Sequence, residues 1–210
     1  MAVICPTITE TTIEGYNKRI ESLATFAERI HPDLTDGDFA PNKTINLAQL
    51  HWPDTMIVDL HVMYRHPIEH IETVIALNPH MMVFHAEADG NLSQLIDSLQ
   101  SVGVKAGLAL LQETTVESQK QLIEKVDHVL DFSGNLGYHG GSVDFTQTKK
   151  ITEIKAINPN AEIGWDGGVN DEHAKNLVDA GVDVLNTGGF IAHADDPATT
   201  YKNLVAIANS

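Results

Sequence analysis

The sequence has 210 residues, of which 42% are hydrophobic and 20% are charged, so we expect one folded domain over residues 1–210 with a sizeable core. The formal net charge of -16 argues against nucleic acid or an anionic membrane surface as a partner, although backbone N–H groups can still hold an anionic small molecule. A single cysteine, Cys5, and the lack of a bilayer-spanning apolar run or a basic-then-apolar leader favour a cytoplasmic protein.

Short apolar runs of β-type composition alternate along the chain with longer segments whose apolar residues recur at helical spacing. Strands are predicted at residues 2–6, 30–34, 55–63, 80–88, 104–110, 127–134, 161–169 and 182–190. Helices are predicted at residues 16–30, 66–77, 91–102, 114–126, 146–158, 170–181 and 197–209. Because roughly eight such β–α units close into a barrel, we expect an α/β fold of the (β/α)8 TIM-barrel type. An open doubly wound sheet is the alternative, but its Gly-rich fingerprint near the first strand is missing.

Polar side chains fall at the ends of several predicted strands, where barrel enzymes place their chemistry. Along the chain these strand ends carry His31 and Asp33, then Asp59, His61 and Met63, then His85 and Glu87, and finally Asp166. Two imidazoles and two carboxylates suit Zn²⁺, Mn²⁺ or Fe²⁺, and the four that we expect to converge are His31, Asp33, His61 and Asp166. Any one of these residues alone could be a turn or scaffold residue. Because acids and imidazoles recur at the same end of several β–α units, we favour a metal site.

Three glycine clusters follow the last three predicted strands, as GNLGYHGG (residues 134–141), DGGV (166–169) and TGGF (187–190). Loops after the seventh and eighth strands of such barrels commonly hold a phosphate, and glycine lets backbone N–H groups approach its oxygens. The alternative is that the glycines merely make tight turns. We favour a phosphate site, which needs no basic side chain and so agrees with the acidic charge.

At these residues the chain resembles a known family. HPDLTDGDFAPN, VDLHVM, FHAEA, KAGLAL, WDGGV and NTGGFI occur in order over nearly the whole sequence. They resemble the motifs of the ribulose-phosphate 3-epimerase family, which implies a barrel of the ribulose-phosphate-binding type. The family pattern after the second strand, His-x-Asp-x-Met-Asp-Gly-x-Phe-x-Pro-Asn, is long and specific.

The resemblance implies roles residue by residue. It implies that one divalent ion (Zn, Mn, Fe or Co) is bound by His31, Asp33, His61 and Asp166, and that Asp33 and Asp166 are also the acid–base pair. Thr7 stands where the family has a substrate-contacting serine in a Pro-Ser-Ile-Leu opening. The positions matching other substrate-binding segments are Met63, Gly137, Gly140, Gly141, Gly167, Gly168, Gly188 and Gly189. Family members are commonly dimers or hexamers, so a homo-oligomer is expected.

The chain also departs from the family pattern around the substrate. Thr35 replaces a methionine, Glu10 a small polar residue, Trp165 a small aliphatic residue and Gly189 a serine. The loop after the sixth strand carries an extra residue and lacks the family's proline and glutamine, and LLQETT lacks an Asn-Pro pair. The metal-binding set is intact, so these departures leave the reaction type in place and put the identity of the substrate in doubt.

The resulting hypothesis is a metal-dependent isomerase of the pentose phosphate pathway that inverts C3 of D-ribulose 5-phosphate to give D-xylulose 5-phosphate. Two aspartates would transfer protons through a metal-stabilised enediolate. The alternatives are a 3-epimerase of a hexulose 6-phosphate such as allulose 6-phosphate, a sugar-phosphate lyase using Lys105, and a non-catalytic phosphosugar-binding paralogue. Six further histidines are expected to be solvated on helices or loops: His51, His66, His70, His80, His128 and His173.

Overall fold

The computed structural model describes the backbone of residues 1–210 and every side chain except that of residue 139. Ten strands follow one another in the described chain: β1 (Val3–Ile8), β2 (Arg29–Thr35), β3 (Ile57–Met63), β4 (Met81–His85), β5 (Lys105–Leu110), β6 (His128–Phe132), β7 (Gly134–Asn135), β8 (Tyr138–Gly141), β9 (Glu162–Asp166) and β10 (Val184–Thr187). Eight of them close into a parallel barrel in the order β1-β10-β9-β6-β5-β4-β3-β2, which confirms the predicted TIM barrel. The glycine cluster at residues 134–141 forms a separate antiparallel hairpin, β7–β8, at the end of β6.

Helices and short 3-10 turns connect the barrel strands. The helices are α1 (Ile13–Leu23), α2 (Ile71–Leu77), α3 (Leu92–Ser101), α4 (Lys120–Ile123), α5 (Lys149–Ile157), α6 (Ala174–Asp179), α7 (Gly189–Ala192) and α8 (Pro197–Ala208). The 3-10 turns are Leu47–Gln49, Pro67–His70, Glu117–Gln119 and Phe145–Thr148. Within the described chain, none of the helices combines the length and the apolar character that crossing a membrane requires.

The predicted helix over residues 16–30 is wrong at both ends. α1 begins at Ile13, because Thr12 caps it by accepting a hydrogen bond from Gly15 N at 3.1 Å, and it ends at Leu23. The chain then turns, and Arg29 starts β2 as a buried residue. Apolar residues continue at helical spacing across this turn, so periodicity alone could not separate the turn from the strand.

Buried ion pairs lie where the barrel strands begin. Arg29 Nε is 2.6 Å from Asp59 Oδ2, and its two terminal nitrogens donate to Glu162 at 2.9 and 2.7 Å. His128 Nδ1 is 2.9 Å from Glu162 Oε2, and His128 is buried, so the expectation that it is solvated was wrong. Asp59 therefore belongs to this end of the barrel and not to the mouth. Above these ion pairs, a small apolar cluster fills the barrel interior: Met81, Val83, Ala109 and Leu130.

Asp131 is a second buried acid, on the face of β6 that packs against α5. Its Oδ1 is 3.6 Å from Lys150 Nζ, which is itself buried and donates to Leu111 O at 2.8 Å. Burial raises the pKa of Asp131 to about 6, and the nearby Lys150 only partly offsets this. The carboxyl group is therefore more easily ionised in the unfolded chain than in the folded one.

We expect Asp131→Asn to flatten the dependence of stability on pH. The wild-type folded state holds this proton up to about pH 6, so the stability that the group contributes is lost as the pH rises through that value. Between pH 4 and 7 the free energy of unfolding of the wild type should fall by about 2 kcal/mol relative to the variant. Urea unfolding at both pH values measures this difference. Parallel pH profiles of the two proteins would contradict it.

Candidate functional site

Four side chains predicted to bind a metal meet at the carboxyl ends of the barrel strands. One ligand atom from each of His31, Asp33, His61 and Asp166 lies within 4.8 Å of those of the other three. His61 Nδ1 is 2.9 Å from Asp33 Oδ1 and 3.8 Å from Asp166 Oδ2, and His31 Nε2 is 4.0 Å from Asp166 Oδ2. The barrel makes this cluster from β2, β3 and β9, three strands that are distant in sequence.

The donor set fits a divalent cation. His31 Nε2 is buried and has no hydrogen-bond partner among the described residues, which is costly unless a ligand completes it. This nitrogen also lies 3.8 Å from Asp33 Oδ1, so it faces the centre of the cluster. Two imidazole nitrogens and two carboxylates suit Zn²⁺, Mn²⁺, Fe²⁺ or Co²⁺.

Burial and neighbouring charges give these side chains different pKa values. It lowers the pKa of His31 to about 3, and the nearby His61 adds to this effect, so His31 is neutral at pH 7. Burial and repulsion from Asp33 raise the pKa of Asp166 well above its ordinary value. Burial also acts to raise the pKa of Asp33, but hydrogen bonds and charge from the histidines, with a hydrogen bond from Thr9, lower it overall. Without a cation, Asp166 is therefore the acid of the two that holds a proton more readily.

A hydrogen bond from outside the four-residue cluster orients Asp33. Thr9 Oγ1 donates to Asp33 Oδ2 at 2.7 Å, which leaves Asp33 Oδ1 turned toward His61. Thr9 was not predicted as a site residue. It directly follows β1, two residues after Thr7, and this spacing is the signal that could have found it, because residues i and i+2 of an extended chain share a face.

A chain of polar groups extends from the other side of His61. Its Nε2 lies 3.0 Å from His85 Nε2, and His85 Nδ1 lies 3.4 Å from Glu87 Oε2. Glu87 Oε1 accepts from Leu111 N at 3.1 Å and from the Thr114 hydroxyl. If His61 Nδ1 offers its lone pair to a cation, Nε2 carries the proton and donates to His85, whose remaining proton then faces Glu87. The sequence placed His85 and Glu87 at a strand end without giving them a role.

A cavity of about 330 Å³ opens above the cluster. Asp33 and Asp166 line it, as do all the residues matched to substrate-binding positions: Thr7, Met63, Gly137, Gly140, Gly141, Gly167, Gly168, Gly188 and Gly189. Other lining residues were not predicted, among them Thr9, Phe132, Asn135, Tyr138, Asn170 and Asn186. None of the described residues that line the cavity is a lysine or an arginine.

Backbone geometry requires glycine at the turn after β9. Gly167 has a φ of +116°, and a Cβ there would lie 2.3 Å from Gly134 N of the hairpin. Gly168 has a φ of +73°, and a Cβ there would lie 2.5 Å from Val143 N. The tight-turn interpretation therefore holds for this pair. The same residues also line the cavity, so their role at a phosphate stays a prediction.

The residues that depart from the family pattern differ in how close they come to the cavity. Thr35 is buried, exchanges hydrogen bonds with Thr44 and is not among the residues that line the cavity. Trp165 Nε1 donates to Gly167 O at 3.0 Å and so braces the turn that carries Asp166. Lys105, the residue that a lyase would use, begins β5 as an exposed residue at the opposite end of the barrel.

Comparisons with known proteins point to one family. The model described as the ribulose-phosphate 3 epimerase family matches residues 3–192. The chain is 32% identical over 211 residues to the ribulose-phosphate 3-epimerase of Helicobacter pylori strain J99, covering 96% of this chain and 95% of that protein. It is 27% identical over 216 residues to the chloroplastic ribulose-5-phosphate-3-epimerase of Arabidopsis thaliana, covering 97% and 76%.

Solved structures share the fold at low sequence identity. KGPDC from Streptococcus mutans superposes with a TM-score of 0.79 at 9% identity, covering 100% of this chain and 98% of that one. A 3-hexulose-6-phosphate synthase superposes with a TM-score of 0.71 at 17% identity, covering 98% and 99%. At these identities the likeness shows the barrel fold alone.

Proposed function

We propose, from the premise that this chain belongs to the ribulose-phosphate 3-epimerase family, that it interconverts D-ribulose 5-phosphate and D-xylulose 5-phosphate by inverting C3. Membership makes the chain an isomerase that acts on a phosphorylated sugar. The observation that carries the finer proposal is the meeting of two imidazoles and two carboxylates at the base of a glycine-lined cavity.

Inversion needs one group that takes the C3 proton and another that returns a proton to the opposite face. We assign these roles to Asp33 and Asp166, which both line the cavity. The bonding electrons of C3–H move to the C2 carbonyl oxygen to give an enediolate, and protonation of C3 from the other side reverses the flow. The two acids are not equivalent even without a cation, since the pKa of Asp33 is lowered and that of Asp166 is raised.

A divalent cation bound by His31, Asp33, His61 and Asp166 would supply Lewis-acid stabilisation of the enediolate charge, worth several kcal/mol. His31 is neutral at pH 7 and keeps a lone pair free for this purpose. Thr9 holds Asp33 in a fixed orientation, so the carboxylate faces both the histidines and the cavity. The glycine-lined wall suits the phosphate, which backbone N–H groups can bind without a basic side chain.

The test is deuterium incorporation at C3 in D₂O, followed by proton NMR, with D-ribulose 5-phosphate and with D-allulose 6-phosphate. The metal-loaded protein should exchange the C3 proton of the pentulose phosphate faster, and a chelator should stop the exchange. Faster exchange with the hexulose phosphate would assign the chain to the alternative substrate, since two of the departures from the family pattern, the hairpin and Gly189, line the cavity. No exchange with either sugar would contradict the proposal.

Glu87 is expected to set the affinity for the cation through His85 and His61. Glu87→Gln keeps the shape of the side chain but removes its negative charge, so His85 polarises His61 less. We expect the dissociation constant of Mn²⁺ or Zn²⁺ to rise by about 10- to 100-fold. Competition with a chromophoric chelator measures it, and kcat at saturating metal should change much less than the affinity.

The matched control is Glu113→Gln, which makes the same change at an exposed residue of the loop that carries Thr114. Equal metal affinities in the two variants would show that the polar chain behind His61 does not influence the cation.

A further inference from the structure

Asn186 carries a buried amide that the fold does not pair. It lies on β10, is 2% exposed and lines the cavity. Neither its Oδ1 nor its Nδ2 has a hydrogen-bond partner among the described residues. Because an unpaired buried amide destabilises a fold, one that faces a cavity is explained by a group that pairs with it when the cavity is filled.

The strand register places Asn186 between the two ends of the cavity. It stands opposite Asp166 on β9, one of the two acids assigned to C3. Two residues further along the chain, Gly188 lines the glycine-rich part of the cavity that suits the phosphate. A substrate would therefore have its reacting carbon at the acids and its phosphate at the glycines. The carbon between these two ends would lie next to Asn186.

The chemistry of the amide selects the kind of group. An amide offers a donor and an acceptor, and both are unpaired here. A phosphate oxygen or a ketone could satisfy only the donor, and a methylene could satisfy neither. A hydroxyl group both donates and accepts, so of these groups it alone can pair with both Oδ1 and Nδ2.

We propose that Asn186 binds the hydroxyl group on the carbon between the reacting carbon and the phosphate-bearing carbon, which is C4 of a pentulose 5-phosphate, and makes the enzyme selective for it. This inference rests on the proposed function, because that function defines the reacting carbon. A site that hydrogen-bonds a substrate hydroxyl rejects an analogue without it, since the protein's own polar group is then left unpaired.

The experiment compares D-ribulose 5-phosphate with its 4-deoxy analogue in the deuterium incorporation assay. The wild type should prefer the hydroxylated sugar in kcat/KM by more than about 100-fold. Asn186→Leu, which is close in volume and apolar, should reduce this preference to less than about 10-fold, mainly by lowering kcat/KM for the natural sugar. Asn186→Ala should do the same, and it cannot overpack the cavity. Neither substitution should lower the melting temperature of the ligand-free protein, because the replaced amide has no hydrogen-bond partner among the described residues.

Thr187→Val is the matched control, since Thr187 is the next residue, is equally buried and does not line this cavity. It should leave the preference for the hydroxyl unchanged. Full preference in both Asn186 variants would overturn the inference while the proposed function stands. A large drop in melting temperature with an unchanged preference would also overturn it, because Asn186 would then be structural. A wild type that exchanges neither sugar overturns the proposed function, and the assignment of Asn186 with it.

Discussion

Asp166→Asn is expected to slow proton exchange at C3 by about 10²- to 10⁴-fold, the usual range for the loss of a general acid or base. Asparagine has nearly the same size as aspartate but cannot carry a proton to or from carbon. It also supplies a weaker ligand, so the assay is run at saturating metal to separate the two effects. Circular dichroism shows whether the barrel is intact.

The same substitution should stabilise the metal-free protein at neutral pH. Burial and the neighbouring Asp33 raise the pKa of Asp166, so the folded wild type loses stability as the pH rises from about 4 toward this raised value. The variant has no such group, and its advantage in urea unfolding should grow over that range. Asp171→Asn, at an exposed residue just after the same turn, is the matched control and should change neither activity nor stability. An Asp166→Asn protein that exchanges C3 at the wild-type rate would exclude Asp166 as one of the two acids.

Removal of the metal is expected to abolish C3 exchange and to lower the melting temperature. A ligand present at a thousand times its dissociation constant stabilises the native state by about 4 kcal/mol. For a chain of this length that corresponds to about 8–16 °C. Differential scanning calorimetry with chelator, and then after adding back Mn²⁺ or Zn²⁺, measures the shift, and the add-back is its own control. Unchanged activity and unchanged melting temperature in chelator would contradict a metal centre at these four residues.

The affinity for the metal should also depend on pH in a defined direction. His31, with a pKa of about 3, holds no proton that competes with a cation above about pH 5. Asp166, whose pKa is raised, does hold such a proton. Affinity should therefore fall as the pH falls below the raised pKa of Asp166, and binding should release a proton. Calorimetric titrations in buffers of different ionisation enthalpy would detect that proton.

The barrel and the metal cluster could be read from the sequence because both depend on simple periodicities. The alternation of strand and helix patterns predicts parallel strands, and the alternation of side chains along a strand predicts that His31 and Asp33 share a face. The position of a residue along the barrel axis could not be predicted from these periodicities. Asp59 and His61 also share a face and are only two residues apart. Asp59 nevertheless pairs with Arg29 near the start of the strands, whereas His61 lies at the mouth beside Asp33.

Other residues could not be predicted correctly because their environment depends on contacts between strands that are distant in sequence. His128 resembles a solvated histidine until Glu162, 34 residues later in the chain, is placed beside it. Asn186 looks like an ordinary polar residue before a turn, and only the folded structure reveals that its amide has no partner among the side chains described. The hairpin β7–β8 pairs Gly134 with Gly141 and Asn135 with Tyr138, and such a short glycine-rich segment carries no side-chain pattern to signal a strand.

The ion pairs and the apolar cluster beneath the proposed metal-binding residues close one end of the barrel, so among the described residues the site opens to solvent through the cavity. Arg29, Asp59, Glu162 and His128 lie at the far end of the barrel. A sugar phosphate bound in the cavity would lie between the ion and solvent and would shield the ion. The enzyme should consequently lose its metal ion to a chelator more slowly when substrate is bound than when it is absent.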